Sequence, residues 1–259
     1  DVILNQVITK TDIDANKLKF VPAADANGAG YATFNFTVND GTADSAANAV
    51  MTVNVTAVND APTTSNSTVT TDEDTDHTFT AAEFNFADVD AGAALASIKI
   101  TSLETAGKLQ LNGVDVILNQ VITKTDIDAN KLKFVPADDA NGAGYATFNF
   151  TVNDGTTDSV ASAVLTIDVT AVNDAPTTSN ATVTTNEDTD HTFTAAEFNF
   201  ADVDAGAALA SIQITSLETA GKLQLNGVDV ILNQVITKAD IDGNKLKFVP
   251  GDDANGAGY

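Results

Sequence analysis

The stretch Ala57-Val58-Asn59-Asp60-Ala61-Pro62-Thr63 decides how this chain is organised, and it returns unchanged at residues 171–177. Each copy follows a run of alternating apolar residues and precedes a segment rich in Thr, Ser and Asn. An Asn-Asp pair with Pro two positions later is typical of a strand end and a fixed turn into the next strand. The copies lie 114 residues apart, about the length of one domain, so we interpret them as domain junctions.

The whole chain repeats with this period. Residues 1–60 match residues 115–174 at all but seven positions, and residues 61–145 match residues 175–259 at all but six. A period this long is typical of whole domains in tandem, because solenoid units span only about 20–50 residues. We therefore predict the C-terminal part of one repeat at 1–60, a complete repeat at 61–174 and the N-terminal part of a third at 175–259, in a fragment of a longer array.

The charge balance restricts the partners. There are 36 acidic residues against 12 basic ones, all of them Lys, and the net charge is -24. Such a chain is repelled by nucleic acid and by anionic membranes, and no apolar run approaches the ~18 residues that span a bilayer. The charge favours multivalent cations or a solvated acidic surface. Acidic composition without Cys is consistent with an extracellular protein stabilised by metal rather than disulfides.

Short alternating segments predict the fold of the complete repeat. The predicted strands are residues 68–71, 77–80, 97–101, 108–111, 114–117, 131–135, 145–152 and 163–169. Asn112-Gly113 is a strong hairpin signal, and residues 125–130 are expected to form one helical turn capped by Thr or Asp. No segment shows a sustained 3.6-residue apolar period. The fold class is therefore all-β: tandem antiparallel Greek-key β-sandwiches, Ig-like and placed end to end.

Catalytic chemistry has few candidates. His77 and His191 occupy the same position in two repeats, and a lone His on a polar strand face is expected to be exposed. The sequence has no Cys nucleophile, no Gly-rich phosphate loop ahead of a helix and no Ser in a strand-turn-helix elbow. Paired carboxylates of the glycosidase kind are present, but Trp and Arg for a sugar cleft are not. We expect a protein that is not an enzyme.

Acidic residues concentrate in the loops between predicted strands. They are Glu73, Asp88, Asp90, Asp138, Asp139, Asp154, Asn173 and Asp174. Loops of a sandwich gather at its two ends, where successive domains meet. Crowded carboxylates repel one another unless a cation neutralises them, and Ca²⁺ takes six to eight oxygen ligands in flexible geometry. The loops therefore predict calcium sites at the domain junctions.

These loops, in this order, resemble a cadherin repeat, specifically the cadherin-like tandem repeats of large bacterial surface adhesins of the RTX type. Glu73 corresponds to the glutamate after a cadherin's first strand, and Asp88-Val89-Asp90 to the family's DxD loop. Asp138-Asp139 falls at its DRE-type acidic loop. Residues 148–155 resemble the strand that ends in the A-x-D-x-G motif, and residues 172–176 resemble the linker DxNDNxP. The linker is one residue shorter here, and Ala171 and Ala175 replace two of its ligands, so one or two ions per junction are expected rather than three.

The resemblance implies a set of calcium ligands at each junction. For the second junction they are Glu73, Asp138, Asp139, Asn173, Asp174, Asp202 and Asp204. For the first junction they are Asp25, Asn59, Asp60, Asp88, Asp90 and Asp154. Glu187 is the counterpart of Glu73 in the third repeat.

The resemblance also implies a function. It predicts a calcium-rigidified extender repeat of a secreted bacterial adhesin, which holds a distal binding domain away from the cell surface in adhesion or biofilm formation. Its partners would be neighbouring repeats of the same chain, or neighbouring copies head to tail. The alternative is a calcium-dependent polysaccharide-binding module, for which exposed aromatics are the discriminating feature. Only Tyr31, Tyr145 and Tyr259, one position in each copy, lie outside the predicted core, which favours the extender. A homophilic adhesion surface also remains open.

Overall fold

The computed structural model describes residues 1–258 and shows an all-β protein. Within these residues, helices are confined to α1 (Lys10–Asp14), α2 (Lys124–Asp128), α3 (Lys238–Asp242) and two 3₁₀ helices, Ala81–Phe84 and Ala195–Phe198. No helix in this part of the chain is long and apolar enough to cross a membrane.

Seventeen short strands make up the rest of the regular structure described. In chain order they are β1 (Gly28–Phe36), β2 (Ala49–Val55), β3 (Ser67–Asp72), β4 (His77–Thr78), β5 (Ser97–Ser102), β6 (Lys108–Leu111), β7 (Val114–Asp115), β8 (Val121–Thr123), β9 (Leu132–Val135), β10 (Gly142–Asn153), β11 (Ala163–Thr170), β12 (His191–Thr192), β13 (Ser211–Gln213), β14 (Lys222–Leu225), β15 (Val228–Asp229), β16 (Val235–Thr237) and β17 (Leu246–Val249).

Backbone contacts divide the chain into two compact units. One unit contains Asp1–Thr70, Asp76–Val135 and Gly144–Asp168, and the other contains Thr71–Thr75, Pro136–Ala143 and the chain from Val169 onward. This division follows contacts rather than the repeat period. The division into repeats at 1–60, 61–174 and 175–259 therefore stays a prediction from the sequence.

Two antiparallel sheets form the sandwich of the middle repeat. The five-stranded sheet has the order β3-β11-β10-β5-β8, and the four-stranded sheet has the order β4-β9-β6-β7. Both sheets bury apolar side chains, because their strands alternate apolar residues with period two. The fully buried residues include Ile98, Ile100, Phe148 and Phe150 from the larger sheet and Leu109 and Phe134 from the smaller one. The predicted all-β sandwich is confirmed.

Aromatic contacts join the core across the sandwich. The rings of Phe79 and Phe148 lie 5.8 Å apart and those of Phe84 and Phe150 lie 5.1 Å apart, both edge to face. This geometry suits the ring quadrupoles and adds about 0.5–1.5 kcal/mol per pair to the free energy of burial. Phe84 sits in a 3₁₀ helix whose first residue follows Thr80, a capping-box residue paired with Glu83.

Local sequence signals predicted most elements of the middle repeat, although the predicted strand 77–80 extends only over β4, His77–Thr78. Asn112 and Gly113 both adopt positive φ, 52° and 77°, as a tight hairpin turn requires. The segment 114–117 is a strand only over β7, because Val116 turns into the core with 4% exposure. Helix α2 begins one residue earlier than predicted and is capped by Thr123, whose hydroxyl accepts from Asp126 N at 3.1 Å. β8 was not predicted, since three residues are too few to show alternation.

The expectation of an exposed histidine is wrong. The side chain of His77 is only 16% exposed, and its Nε2 lies 3.1 Å from Glu83 Oε1. Its ring also lies 4.8 Å from that of Phe79, edge to face. His77 therefore supports the 3₁₀ helix and the core edge rather than facing solvent.

The two outer segments bury much less than the middle repeat. Strands β1 and β2 pair with each other, but no residue from 1 to 60 is buried. In the described part of the third segment, the buried apolar residues are Val230, Ile236, Ile241 and Leu246. Its strands form the sheets β12-β17-β14-β15 and β13-β16.

Candidate metal centre

Glu73 directly follows β3 and is held against the last residue of β11. Its backbone N donates to Thr170 O at 2.9 Å, so that it lies directly before the second linker. The residue is 2% exposed, and each carboxylate oxygen has a donor: Val172 N to Oε1 and Asn141 Nδ2 to Oε2, both at 2.7 Å. A carboxylate offers about four lone-pair directions. Glu73 is therefore oriented by two hydrogen bonds and retains capacity for a further ligand.

Two aspartates next to Glu73 occupy turns in the left-handed region. Asp74 has φ 58° and Asp139 has φ 55°, a conformation that Asp tolerates because its short side chain bonds to nearby backbone. Asp139 N donates to Asp74 Oδ1 at 3.3 Å, which links the two loops. Asp74 was not predicted as a ligand. It lies in the acidic run of residues 72–76, where the resemblance singled out only Glu73.

Hydrogen bonds join the second linker to the loop that contains Asp202 and Asp204. Asp174 N donates to Asp204 Oδ2 at 2.9 Å, and Asp204 N donates to Asp202 Oδ1 at 3.0 Å. Asn173 Nδ2 donates to Asp174 O at 2.7 Å, which fixes the turn ahead of Pro176. These bonds position the carboxylates of Asp174 and Asp204 toward Glu73.

Five carboxylates converge as two overlapping groups. Glu73, Asp174 and Asp204 bring oxygens within 4.8 Å of one another, and so do Asp74, Asp139 and Asp174. Asp174 belongs to both groups. All five residues lie in the second compact unit. Among residues 1–258, no lysine or histidine forms a salt bridge with any of them.

The electrostatics of the cluster are unfavourable without a cation. Partial loss of hydration raises the pKa of Asp139, and the neighbouring carboxylates, Asp74 first among them, raise it further. The pKa of Asp174 is raised for the same reasons, with Asp139 and Asp204 as the main charged neighbours. Carboxylate oxygens without positive partners are the ligand set that Ca²⁺ prefers, so the residues fit a hard divalent cation.

The remaining predicted ligands of the second junction lie outside these groups. Asp138 is exposed. Asp202 belongs to neither carboxylate group, but it orients the Asp204 loop by accepting from Asp204 N. Glu187 is exposed, although Asn255 Nδ2 donates to its Oε2 at 2.7 Å, as Asn141 does to Glu73.

The first linker repeats the hydrogen bonds of the second, including Asn59 Nδ2 to Asp60 O at 2.7 Å, and adds a contact with Asp154. Asn59 Nδ2 donates to Asp154 Oδ2 at 2.9 Å, and Asp60 N donates to Asp90 Oδ2 at 2.8 Å. Asp90 N in turn donates to Asp88 Oδ1 at 2.8 Å. Hydrogen bonds from Thr157 N, Asn59 and Thr156 N lower the pKa of Asp154.

Asp154, Asp90 and Asp88 each accept from a donor through one carboxylate oxygen, whereas the buried Oδ2 atom of Asp88 has no hydrogen-bond partner among the described residues. Within residues 1–258 the first-linker carboxylates form no group of three converging acids, and Asp25 is exposed at φ 57°. The structure therefore brings together four of the predicted ligands, Glu73, Asp139, Asp174 and Asp204, and adds Asp74.

Comparison with known proteins is consistent with this fold. Residues 62–170 match the model of a protein family described as cadherin-like. No curated protein matches the chain significantly. A solved structure of an endo-fucoidan hydrolase from glycoside hydrolase family 107 is similar at 16% identity with a TM-score of 0.26, over 85% of this chain. The chain spans 30% of the length of that enzyme, and so low a score carries no information about function. The family match and the two-sheet fold together support a cadherin-like domain over residues 62–170.

Proposed function

We propose that the middle repeat is a non-enzymatic extender unit that calcium stiffens at the linker 171–177. The observation that carries the proposal is the convergence of five carboxylates, one of them buried, on that linker without a positive partner in the described chain. Glu73, Asp74, Asp139, Asp174 and Asp204 would hold the ion. Bound calcium would supply the missing positive charge and favour the arrangement in which these residues converge.

The stiffening follows because the five ligands come from three different parts of the chain. Glu73, Asp74 and Asp139 belong to the predicted middle repeat, Asp174 to the linker and Asp204 to the predicted third repeat. An ion that binds all of them together binds the converged arrangement more tightly than any separated one. It therefore shifts the conformational equilibrium by its differential affinity.

The setting we propose is the surface of a bacterial cell, in a secreted adhesin. Supporting observations are the cadherin-like match, the tandem near-identity of the repeats, the net charge of -24 and the absence of Cys. The unit would hold a distal binding domain away from the cell in adhesion or biofilm formation. No catalytic role is proposed for His77 or His191, whose Nε2 atoms lie 3.1 Å from Glu83 Oε1 and Glu197 Oε1.

The described tyrosines give little support to the polysaccharide-binding alternative. The ring of Tyr31 lies 5.9 Å from that of Phe20, and its hydroxyl accepts from Ala23 N at 3.2 Å. The ring of Tyr145 lies 6.1 Å from that of Phe134. Tyr259 lies outside the described residues. Rings packed against other aromatics offer less of a stacking face to a sugar.

Calcium titration by calorimetry, combined with small-angle scattering in calcium and in chelator, tests the proposal. We expect saturable binding, and we expect chelator to broaden the distance distribution while circular dichroism stays that of a folded β protein. The sandwich core does not depend on the metal. No calcium binding, or an unchanged distance distribution, would refute the extender. Binding of a polysaccharide panel in calcium would support the alternative instead.

A further inference from the structure

The middle repeat lies between two linkers of identical sequence. Residues 57–63 precede it and residues 171–177 follow it. It therefore shows both how a repeat holds the linker before it and how a repeat holds the linker after it. The two sides together describe one complete junction.

The linker before the middle repeat is bonded to it from Asn59 onward. Asn59 Nδ2 donates to Asp154 Oδ2 at 2.9 Å, and Asp60 N donates to Asp90 Oδ2 at 2.8 Å. These donors and acceptors are all groups of the chain itself, and they lie in the first compact unit. This part of the linker thus has an attachment that the chain makes alone.

The residues that come next strengthen this attachment. Thr63 and Ala87 exchange two backbone hydrogen bonds, at 2.7 and 2.9 Å, and Thr64 Oγ1 donates to Phe84 O at 2.7 Å. Pro62 is buried, and its ring restricts the backbone at that position. We call residues 59–64 the docked segment.

The loop that carries Asp154 is itself ordered by hydrogen bonds. Asp154 Oδ1 accepts from two backbone N–H groups of its own loop, at 2.6 and 2.7 Å. Asn153 Nδ2 donates to Asp158 Oδ1 at 2.7 Å, and Lys99 Nζ pairs with the other oxygen of Asp158. The acceptor of Asn59 is therefore oriented from the sheet, independently of the linker.

The second linker is docked in the same way on the segment after it. Beyond the bond from Asp174 N already described, Thr177 and Ala201 exchange two backbone hydrogen bonds, at 2.7 and 2.9 Å. Thr178 Oγ1 donates to Phe198 O at 2.7 Å. These bonds repeat, position for position, those of the docked segment.

The middle repeat holds the linker after it only as far as Val172. Glu73 N donates to Thr170 O at 2.9 Å, and Val172 N donates to Glu73 Oε1 at 2.7 Å. The next side chain, Asn173, donates forward to Asp174 O at 2.7 Å. The bonds to the preceding repeat therefore end one residue before the position at which the docked segment begins.

We propose that each linker is a fixed part of the repeat that follows it, and that a junction bends at the one peptide unit between Val172 and Asn173. At the first linker the same unit joins Val58 to Asn59. A hinge of this kind needs only a few residues that absorb the change in backbone torsion. The docking is independent of calcium, whereas the closing of the bend by calcium rests on the proposed function.

The carboxylates of the candidate metal centre divide at the same point. Glu73, Asp74 and Asp139 belong to the preceding repeat, while Asp174 and Asp204 move with the following one. Like charges on the two sides of the bend repel each other, which opens it. A divalent cation bound to both sides closes it. Calcium therefore acts at one point, and the rest of the linker stays rigid.

Amide hydrogen exchange of the full chain in chelator, measured residue by residue by NMR, tests the docking. We expect the amides of Asp60 and Thr63 to be protected about 100-fold or more relative to an unstructured peptide, because both donate to the middle repeat. Unprotected amides at these positions, in a chain whose Phe150 amide stays protected, would overturn the proposal. Because the measurement is made without calcium, a failed calcium titration would refute the proposed function and leave this result intact.

A matched pair of variants identifies where the docked segment begins. Asn59→Ala should speed exchange of the Asp60 amide about tenfold, because it removes a hydrogen bond to a charged acceptor. Val58→Ala, one residue earlier and with a side chain that is 77% exposed, should leave the rate unchanged. Equal effects of the two substitutions would place the start of the docked segment before Asn59 and contradict the assigned bend.

Spin-label distances at the second linker test the position of the bend. The chain has no native Cys, so one label pair is attached at Ala143→Cys with Ala205→Cys, across the bend, and another at Ser179→Cys with Ala205→Cys, beyond it. In chelator, the distance distribution of the first pair should be broad and that of the second pair narrow. A broad distribution for the second pair, or narrow distributions for both, would overturn the proposal. If calcium did not narrow the first pair, the calcium function would fail and the bend would remain.

Discussion

Residues 1–60 and 115–174 share their sequence at all but seven positions, yet they differ in the burial of their apolar side chains and in the crowding of their carboxylates. The second segment buries Phe148 completely and places Asp174 among four other carboxylates. The first leaves Phe34 half exposed, and among the described residues Asp60 belongs to no group of three converging acids. The difference teaches that burial and charge crowding are set by what each segment packs against, rather than by its own residues.

The two linkers also show complementary parts of one junction. Glu73, Asp74 and Asp139 lie upstream of the second linker. Upstream of the first linker, Asp25 occupies the repeat position of Asp139 and is exposed. At the first linker, Asp154 Oδ2 accepts from Asn59 Nδ2. Asn173 occupies the same repeat position at the second linker, and its Nδ2 atom donates to no carboxylate among the described residues. A junction with both parts would add an Asp154-like carboxylate to the five already converging.

The largest contrast is expected in the core. Phe148→Ala should destabilise the middle repeat by about 3–5 kcal/mol, because it removes a fully buried ring from a packed interior. Phe34→Ala should change stability by about 0.5 kcal/mol or less, because its ring is half exposed. Urea unfolding of the two variants checks this. Equal losses would show that the first segment has a core of its own.

A second contrast concerns calcium. Asp174→Asn should weaken calcium binding on the order of 100-fold, because Asp174 serves both carboxylate groups. Asp60→Asn, at the same position of the first linker, is the matched control and should leave that affinity unchanged. Calorimetry on both variants measures it. If the two substitutions weakened binding equally, the second linker would not be the tighter site.

A third contrast is expected in proton binding. In chelator, Asp139 and Asp174 should titrate above the ordinary carboxyl value of 3.8, because lost hydration and neighbouring acids raise each pKa. Asp40 and Asp154 occupy one repeat position, and backbone N–H donors lower the pKa of both, so they should titrate below 3.8. Carboxyl chemical shifts measured by NMR against pH distinguish these groups.

The sign of the stability effect follows. The folded chain holds the protons of Asp139 and Asp174 more tightly than the unfolded chain does. Their contribution to stability therefore falls as pH rises from 3.8 through the raised folded-state pKa. Calcium should reverse the shift at Asp174. A midpoint for Asp174 that does not move on adding calcium would contradict the assignment.

The smallest contrast concerns a supporting residue. Asn141→Ala should weaken calcium binding about tenfold, because it removes the donor that orients the Oε2 atom of Glu73. Asn27→Ala, the same change in the first segment, should have no effect on this site. In chelator, Asn141→Ala should also lower stability by about 1–3 kcal/mol, because it leaves a buried carboxylate oxygen without its donor. The loss of calcium affinity, measured on the folded protein, separates the positioning role from this structural one.

The sequence predicted the strands and their faces better than it predicted which of those faces another segment covers. Alternation correctly placed Phe148, Phe150 and Val152 on the buried face of β10, and the Asn-Gly pair correctly placed a hairpin. The same alternation in β1 gives no sign that Phe34 is exposed, because a strand's period specifies its faces but not whether a partner covers them. The burial of His77 depended likewise on a contact with Glu83.

The candidate site was predicted in part for a related reason. The order of acidic loops identified Glu73, Asp139, Asp174 and Asp204, since loop position in a sandwich follows from strand order. Asp74 was missed because its role depends on a left-handed turn, which five consecutive polar residues at 72–76 do not reveal.

The position of Asp174 in both carboxylate groups has a consequence for how the linker would respond to calcium concentration. Two ions that share one ligand cannot load independently, because the first fixes the side chain that the second also needs. Ordering that side chain once makes the second step cheaper in conformational entropy. Five carboxylates also retain three negative charges after the first divalent ion has bound, so the site still attracts the second ion. Loading would then be cooperative, and the linker would stiffen over a narrower range of calcium concentration than a single site allows.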